Sequence, residues 1–215
     1  MLRLLNGLWR VLCRPLRELS KIEVRVPQGL ADITLREVGA VDDEVLRAFD
    51  CGEPGLNSFL VDEAKTYARH ALTSTYVAFA PDDPACPVGY FSLSADAIRL
   101  NMMERGDLGL PFQSNIEFFP AVKITKLAVA VARQSQGLGR QLMELIIGMT
   151  YQSQHAVRLV NVNALNNPRT VRFYQSLGFL ESLTDVERRE RDAGGRRGQA
   201  QQYQTVLMHL DIYAD

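Results

Sequence analysis

The sequence predicts an α/β domain built from six to seven strands and about four helices. The first observation is a set of short runs in which apolar and polar residues alternate, the period of a half-buried strand. The second is a smaller set of runs in which apolar residues recur with the period of an amphipathic helix. The third is the length of 215 residues, which suits one domain with an appendage.

The predicted strands and helices follow one another along most of the chain. The strands are 33–38, 75–79, 88–93, 121–131, 158–165, 179–183 and 203–212. The helices are 43–49, 58–70, 138–149 and 168–177. The turn formers of Pro81–Pro84 indicate a hairpin of the second and third strands. Asn167 and Pro168 are residue types preferred at the N-cap and first position of a helix, and Gly178 is the expected stop of the last helix.

Three segments lie outside this regular pattern. Residues 1–32 form an extension before the domain proper, which is expected to span 33–215, and their leucine and arginine spacing predicts a basic amphipathic helix. That helix either docks on the domain or a partner or lies on a membrane surface, because it is too short and too rich in arginine to span a membrane. The connection 101–120 is predicted to be a long loop. The basic segment 187–199 is predicted to be a mobile hairpin tip, either solvated or in contact with nucleic acid.

Composition and charge limit the kinds of partner and site. A net charge of −1 gives no global attraction to nucleic acid or to a membrane, so any such partner has to bind a local patch. Arginine supplies most of the positive charge, a bias that suits phosphate contacts but that codon composition also produces. The three cysteines and three histidines are scattered. The sequence therefore predicts neither a disulfide framework nor a metal site, and it favours a reducing, cytoplasmic compartment.

The most informative stretch is Leu127–Met149. An apolar run through Val131 predicts a strand, which leads through a turn containing Gly137 and Gly139 into a helix. The first backbone N–H groups of a helix lack intrahelical acceptors, and the helix dipole favours negative charge at this end. Arg140 adds a positive charge beside the turn. The stretch therefore predicts an anion site of the kind that binds phosphate groups.

Two motifs in this part of the chain resemble those of the GNAT family of N-acetyltransferases. Gln134–Gly139 matches the family's Gln-x-x-Gly-x-Gly loop for the pyrophosphate of acetyl-CoA. Asn167–Phe179 matches the family's second motif, with Thr170 at a position where the family usually has alanine. The resemblance covers about residues 125–180. It implies the GNAT fold, with a mixed and mostly antiparallel sheet, and acetyl-CoA as the cosubstrate.

The resemblance also implies a role for particular residues. The main chain of Leu127, Ala128 and Val129 is expected to hold the pantetheine arm as an added strand does. The amide of Val129 is expected to donate to the oxyanion of the tetrahedral intermediate. Tyr174 is expected to be the general acid that protonates the leaving thiolate. The residues expected to contact acetyl-CoA are Leu127, Ala128, Val129, Gln134, Gln136, Gly137, Leu138, Gly139, Arg140, Asn167 and Phe173.

The acceptor side rests on a narrower resemblance. Phe49–Leu60 and Pro120–Val129 resemble the branch of GNAT toxins that acetylate aminoacyl-tRNA. A model α-amine titrates at about 7.7–8.0, so water is sufficient as the base, with Glu117, Asn161 and Asn163 as alternatives. The candidate tRNA contacts are Arg69, Arg99, Arg105, Arg133, Arg158, Arg169 and Arg172. Among them Arg133, Arg169 and Arg172 are favoured, together with Arg140, because they flank the two motifs.

Three functions remain open at this point. The first is a toxin that blocks translation by acetylating aminoacyl-tRNA, with a ribbon-helix-helix antitoxin and a second copy of the chain as possible partners. The second is a GNAT enzyme for a small amine, a peptide or a protein N-terminus. The third is a non-catalytic module that binds CoA or a partner protein.

Overall fold

A computed structural model describes residues 33–110, 112–195 and 204–214. The extension 1–32 and its predicted helix lie outside these residues and stay a prediction. The strands are β1 (Thr34–Glu37), β2 (Ser74–Ala80), β3 (Asp83–Arg99), β4 (Phe118–Val129), β5 (Leu159–Leu165), β6 (Leu180–Glu181) and β7 (Thr205–Asp211). The α-helices are α1 (Asp43–Arg47), α2 (Pro54–Ser58), α3 (Ala64–Arg69), α4 (Met102–Asp107), α5 (Leu138–Tyr151), α6 (Pro168–Gln175) and α7 (Leu183–Gly195). A π-helical turn, Phe59–Glu63, joins α2 to α3. Within the described ranges, no helix is long and apolar enough to cross a membrane.

The strands form one seven-stranded sheet in the order β1-β2-β3-β4-β5-β7-β6. All neighbouring strands are antiparallel except β4 and β5, which are parallel. This confirms the predicted mixed and mostly antiparallel sheet. The predicted hairpin is β2 with β3, although β3 is longer than expected because its second half continues along β4.

Helices cover both faces of the sheet, and each face has its own core. On the front face, α5 and α6 pack against β4 and β5 through Leu142, Ile146, Tyr174, Ile124 and Val162. Alternate residues of a strand point to opposite faces, so the remaining apolar residues of these strands belong to the back face. The front cluster is the largest of the three apolar clusters among the described residues.

The back face carries two separate apolar clusters. In the first, α1, the π-helical turn and α3 pack on β2, β3 and the end of β4, with Leu46, Phe59 and Tyr90 at its centre. In the second, the segment after α4 packs on the other ends of β3, β4 and β5, with Leu108 and Phe119 buried against the sheet. Between the two clusters, the register of β3, β4 and β5 places polar side chains on the back face.

A β-bulge interrupts β4 in the middle of the sheet. Ser92 pairs with Lys126 and Leu93 pairs with Ile124, so Thr125 is the extra residue. Its hydroxyl donates to the carbonyl oxygen of Ser92 at 3.0 Å, which fixes the bulge. Bulges re-aim the strand that carries them and often lie next to active sites.

Two sequence predictions are wrong in this part of the chain. The connection 101–120 contains α4, which begins with a capping box between Asn101 and Glu104. The segment 187–199 was predicted to be a hairpin tip, but its residues 187–195 belong to α7, which ends at Gly195. The Glu104 carboxylate explains both, since it also accepts hydrogen bonds from the Leu183 N–H at 2.7 Å and the Thr184 hydroxyl at 3.0 Å at the start of α7. The predicted strand 179–183 is correspondingly shortened to β6.

Gly89 shows how closely α5 approaches the sheet. A Cβ atom at this position would lie 2.9 Å from both the Ala128 carbonyl oxygen and Leu142 Cδ1. Such overlap requires the strand or the helix to move, and overpacking of a core costs roughly 1–3 kcal/mol.

We therefore expect Gly89→Ala to lower the free energy of unfolding by roughly 1–3 kcal/mol. The control is Gly148→Ala in α5, where a new Cβ has no neighbour within 4 Å. Alanine is the better helix former, so this control is expected to be neutral or slightly stabilising. Chemical denaturation of the two variants and the unsubstituted protein measures both effects, and equal stability of the two variants would contradict the packing described here.

Candidate active site

A cleft opens where β5 separates from β4. Ala121–Ile124 pair with Leu159–Val162, and beyond these residues the two strands have different partners. β4 continues to Val129 along β3, while β5 continues to Leu165 along β7. In the described structure the far edge of β4 is therefore without a neighbouring strand after Ile124.

Two residues of β4 point their main-chain groups into this cleft. The Ala130 N–H donates to the Val88 carbonyl oxygen at 2.9 Å, so residue 130 faces β3. Main-chain groups alternate in direction along a strand, so those of Leu127 and Val129 face the cleft and those of Ala128 face β3. Of the three residues expected to hold the pantetheine arm, Leu127 offers its N–H and carbonyl groups there and Val129 offers its N–H, whereas Ala128 offers neither group.

The turn after β4 is shaped as an anion-binding nest. Ser135 and Gly137 have positive φ angles of 62° and 86°, and such residues turn successive N–H groups towards one point. The N–H groups of residues 135–139 donate to no acceptor in the described structure. The N–H of Arg140, one of the residues expected to contact acetyl-CoA, donates instead to the Gly137 carbonyl oxygen at 3.0 Å as α5 begins. The nest is therefore formed by the main chain immediately before α5 and by its first residues.

The side chains around the nest brace it. The Gln134 amide group donates to the carbonyl oxygens of Cys51, at 2.9 Å, and Val129, at 3.1 Å. Both of its N–H donors are thus used inside the protein, and its contribution is to the position of the turn. The Gln136 amide similarly donates to the Ala132 carbonyl oxygen at 2.9 Å.

The start of α5 is packed directly against α6. A Cβ at Gly139 would lie 3.4 Å from the Phe173 ring and 3.9 Å from Val129 Cγ2. The guanidinium of Arg140 donates to the Ser176 carbonyl oxygen at 3.2 Å, at the C-terminal end of α6. These contacts bring the two sequence motifs together at one end of the cleft.

Helix α6 begins where the sequence predicted. The Asn167 side-chain oxygen accepts a hydrogen bond from the Thr170 N–H at 2.9 Å, and Pro168 occupies the first turn. Asn167 is therefore a helix cap, which leaves its side-chain N–H group as the part available to a ligand.

Helix α6 ends in a Schellman motif that fixes Tyr174. The Phe179 N–H donates to the Tyr174 carbonyl oxygen and the Gly178 N–H to that of Gln175, with Gly178 at a φ of 89°. The rings of Tyr174 and Phe179 meet edge to face at 5.3 Å. The Leu-Gly-Phe sequence after the helix therefore fixes the position of both the main chain and the ring of Tyr174.

Tyr174 is buried through its ring, with 6% of its surface exposed. Burial raises the pKa of its phenol to about 12. Its hydroxyl group has no hydrogen-bond partner among the described residues and is not one of the fully buried polar atoms. A protonated phenol with an available hydroxyl group is what a general acid at this position requires.

A loop not assigned to the site by the sequence supports the nest from behind. The Asp50 carboxylate accepts from the Gly52 N–H at 2.8 Å and the Asn57 side chain at 2.7 Å, and these bonds lower the pKa of Asp50. The Asp50 carbonyl oxygen accepts from the Val131 N–H at 2.9 Å, next to the Gln134 bond described above. Asp and Asn beside a glycine in Phe49–Leu60 indicate a hydrogen-bonded turn. The sequence near this turn does not show that it contacts the segment after β4.

The arginines expected to bind tRNA do not form one set. Arg133 is paired with Asp82 at 2.7 Å, and Arg158 is paired with Asp211 at 2.6 Å. Arg99 pairs with Glu117 at 3.1 Å, and Arg105 donates to the Leu100 carbonyl oxygen. Of the candidate arginines, those with an exposed side chain and no hydrogen bond or ion pair to another described residue are Arg69, Arg169 and Arg172. Arg169 and Arg172 lie on α6, beside Tyr174.

The residues considered as alternative bases are also engaged or distant. Glu117 forms the ion pair with Arg99, and Asn163 is exposed on β5. Asn161 is 1% exposed and donates from its side chain to Asp96 at 2.8 Å. Within the part of the chain that the structure describes, no group of three or more metal-ligating side chains occurs.

Comparison with known proteins agrees with this geometry. Residues 103–181 match the family model for the acetyltransferase (GNAT) domain. The structure of the AtaT toxin complexed with acetyl-methionyl-tRNA is similar with a TM-score of 0.62 and 21% identity, over 84% of this chain and 95% of that one. A tyrosine-to-phenylalanine variant of AtaT, bound to acetyl-CoA and to the C-terminus of the antitoxin AtaR, has a TM-score of 0.58 and 20% identity, over 84% and 94%. A tyrosine-to-phenylalanine variant of KacT has a TM-score of 0.58 and 20% identity, over 84% and 95%.

The solved structures share the fold of this chain, and the family model covers the cleft strand, the nest and α6. These findings confirm the resemblance to the GNAT family and to the fold of its toxin branch. Residues 103–181 therefore match the acetyltransferase (GNAT) domain that the two motifs predicted, on a fold that the solved toxin structures share.

Proposed function

We propose that this protein transfers the acetyl group of acetyl-CoA to the α-amine of an aminoacyl-tRNA. The observation that carries the proposal is the convergence of three features at the split between β4 and β5. These are the free main-chain groups of Leu127 with the N–H of Val129, the nest at 135–139 and the available hydroxyl of Tyr174.

The cosubstrate occupies the cleft in two parts. Its pyrophosphate binds the unpaired N–H groups of 135–139, where the helix dipole of α5 adds to the attraction. Its pantetheine arm lies along the free edge of β4 and bonds to Leu127 and Val129, as an added strand would. The AtaT variant bound to acetyl-CoA supports this assignment, because it shares the fold.

The reaction is a direct transfer. The amine nitrogen of the acceptor attacks the thioester carbonyl carbon, and the carbonyl electron pair moves to oxygen in a tetrahedral intermediate. The Val129 N–H, which faces the cleft, donates to that oxyanion. The intermediate collapses with cleavage of the C–S bond, and the nitrogen loses its proton to water. Binding both reactants in one cleft supplies the proximity that accelerates the attack.

Tyr174 supplies the proton that the leaving thiolate takes up. Its pKa of about 12 keeps the phenol protonated throughout the neutral range. A cysteine-like thiol titrates at about 8.5, so the transfer is favourable only while the thiolate is held in the low-dielectric cleft. The packing of Tyr174 between Phe173 and Phe179 gives the hydroxyl a fixed position from which to donate.

We propose aminoacyl-tRNA as the acceptor because the chain resembles the toxin branch of the GNAT family. Phe49–Leu60, which resembles that branch in sequence, is the loop that braces the nest, and the AtaT complex with acetyl-methionyl-tRNA has the same fold. On this proposal the protein is the toxin of a toxin–antitoxin pair. Its antitoxin would be of the ribbon-helix-helix type, as predicted from the resemblance, and the AtaT complex with the C-terminus of AtaR gives a precedent for such pairing.

The acceptor is tested by incubating the protein with labelled acetyl-CoA and total charged tRNA. Label is expected on the α-amine of one or a few aminoacyl residues, released by mild base together with the amino acid. Uncharged tRNA is the matched control and is expected to stay unlabelled. Label on a polyamine, a peptide or a protein N-terminus in place of charged tRNA would favour the second function considered above.

Replacing the acid tests the mechanism. Tyr174→Phe is expected to lower kcat by about 100-fold or more, since general acid catalysis contributes about 10² to 10⁴ in rate. Acetyl-CoA affinity is expected to be unchanged, because the ring and its packing remain. The exposed Tyr151, on the far end of α5, provides the control Tyr151→Phe, which should keep full activity. Equal turnover of the Tyr174 variant and the unsubstituted protein would remove Tyr174 from the mechanism.

The nest is tested at Gly137, whose backbone has the left-handed conformation. Gly137→Ala is expected to weaken acetyl-CoA binding by about tenfold or more, because a changed backbone here would lose a hydrogen bond to a charged group. It is also expected to cost about 1–2 kcal/mol of stability, because its φ is 86°. Gly109→Ala is the matched control, since Gly109 has a φ of 60° and open space around it. This control should lose similar stability and keep its affinity, as measured by calorimetry; equal affinity of both variants would contradict the nest.

A further inference from the structure

Polar side chains lie on the back face between the two apolar clusters, beside the bulge at Thr125. They are Ser94, Asp96, Lys123, Lys126 and Asn161, here called the acceptor trough. The register places these side chains on the back face. Lys123 and Lys126 are next to Ile124 and Leu127, which belong to the front core, so they point to the opposite face. Ser94 and Asn161 both lie directly opposite Lys123, and Ser92 lies opposite Lys126. The trough therefore lies on the face of the sheet opposite the one covered by α5 and α6.

One lysine of the trough is neutralised within the protein. Lys123 Nζ lies 4.0 Å from Asp96 Oδ2, and the same carboxylate oxygen accepts the buried Asn161 side chain at 2.8 Å. The hydrogen bond from Asn161 holds Asp96 beside Lys123. Lys65, outside the trough, is likewise paired with Asp43 at 2.5 Å. Neither lysine is an uncompensated charge.

Lys126 differs from these two lysines. None of the ion pairs among the described residues includes it. Its ammonium instead lies 5.2 Å from the centre of the Phe59 ring, a cation–π contact that leaves the charge unneutralised. Its side chain is half-buried, immediately after the bulge residue and immediately before Leu127. An uncompensated cation thus lies beside the cleft at the position where the strands separate.

The ring that contacts Lys126 is itself held in an unusual backbone. Phe59 begins the π-helical turn, and its ring is stacked on Tyr90 at 6.3 Å and meets Tyr67 edge to face at 5.7 Å. Single π-helical turns are rare and are frequently found at functional sites. Phe59 also belongs to Phe49–Leu60, which braces the nest on its other side. The same segment therefore supports the nest and provides the ring beside Lys126.

From these contacts we propose that Lys126 binds a phosphate of the acceptor, which enters the cleft along the trough on the back face. This inference rests on the proposed function and adds to it the residue that recognises the nucleotide part of the acceptor. The nest and α5 are at the front of the cleft, so the back face is the side left for the acceptor. The chain has a net charge of −1, and attraction of a polyanion therefore depends on local cations such as this one.

The ammonium suits a phosphate better than it suits a free amine. A phosphate oxygen gains a charge-assisted hydrogen bond from Lys126, whereas a small cationic amine is repelled. Phe59 holds the ammonium without neutralising it, so the charge remains available to the ligand. Lys126 is in this sense a substrate-binding residue, and no chemical step passes through it.

The test compares an acceptor that carries phosphates with one that carries none. Labelled acetyl-CoA is offered with charged tRNA or with the aminoacyl ester of adenosine, which has the same α-amine and no phosphate. The variants are Lys126→Gln, Lys126→Arg and the control Lys65→Gln, which removes the same charge from an ion pair away from the trough. Acetyl-CoA affinity is measured for each variant, to show that the nest is intact.

With charged tRNA, Lys126→Gln is expected to lower kcat/KM by about tenfold, mainly through a higher KM, with partial rescue by Lys126→Arg. The dependence of log KM on log salt concentration is expected to fall by about 0.7, as for one phosphate contact to a single strand. With the adenosine ester, the three variants are expected to match the unsubstituted protein.

Three outcomes would overturn the inference. An equal loss with both acceptors would make Lys126 a structural support of the cleft. No loss with charged tRNA would remove Lys126 from the binding site while leaving the proposed function in place. Failure of the unsubstituted protein to label charged tRNA at all would overturn the proposed function, and this inference with it.

Discussion

The separation of β5 from β4 after Ile124 and Val162 is the constraint on which the rest of the site depends. A parallel pair that continued to the end of both strands would use every main-chain group of β4 for pairing. The bulge at Thr125 and the continuation of β5 along β7 instead leave Leu127 and Val129 without strand partners on one side. Unpaired groups at the middle of a sheet are costly unless a ligand or water bonds to them. The cleft therefore presents these main-chain groups to a ligand or to water.

Several contacts keep that cleft in one shape before any ligand arrives. Gln134 ties the nest to β4 and to Cys51, and Asp50 ties the segment after β4 to the loop before α2. Arg140 ties the start of α5 to the end of α6. Donors that are already fixed in direction need no reorganisation when charge develops, which is the main source of electrostatic catalysis. Residues that seemed suited to ligand contacts therefore act partly as braces.

The two faces of the sheet differ in what they present to the cleft. The front face provides main-chain N–H groups and the buried phenol of Tyr174, a neutral acid whose high pKa follows from desolvation. The back face provides side-chain charge, in a trough between two apolar clusters. On the proposed function, this division separates the binding site of acetyl-CoA from that of the acceptor, so that the amine reaches the thioester carbon from the back face.

The sequence by itself determined the elements and the two motifs, because these depend on local physics. The alternation of apolar and polar residues predicted the strands, and Asn167 and Gly178 predicted the ends of α6. The glycine-containing turn predicted the nest. Each of these patterns lies within a short stretch of chain. The role of Glu104 was not predictable in this way, since its carboxylate caps a helix almost eighty residues away. For the same reason the lengths of β6 and α7 were not predicted. Only the tertiary structure decided which arginines are paired, that Gln134 is a brace and that Lys126 is not neutralised. Those properties depend on partners brought together from distant segments, and the spacing of residues along a chain does not encode such distances.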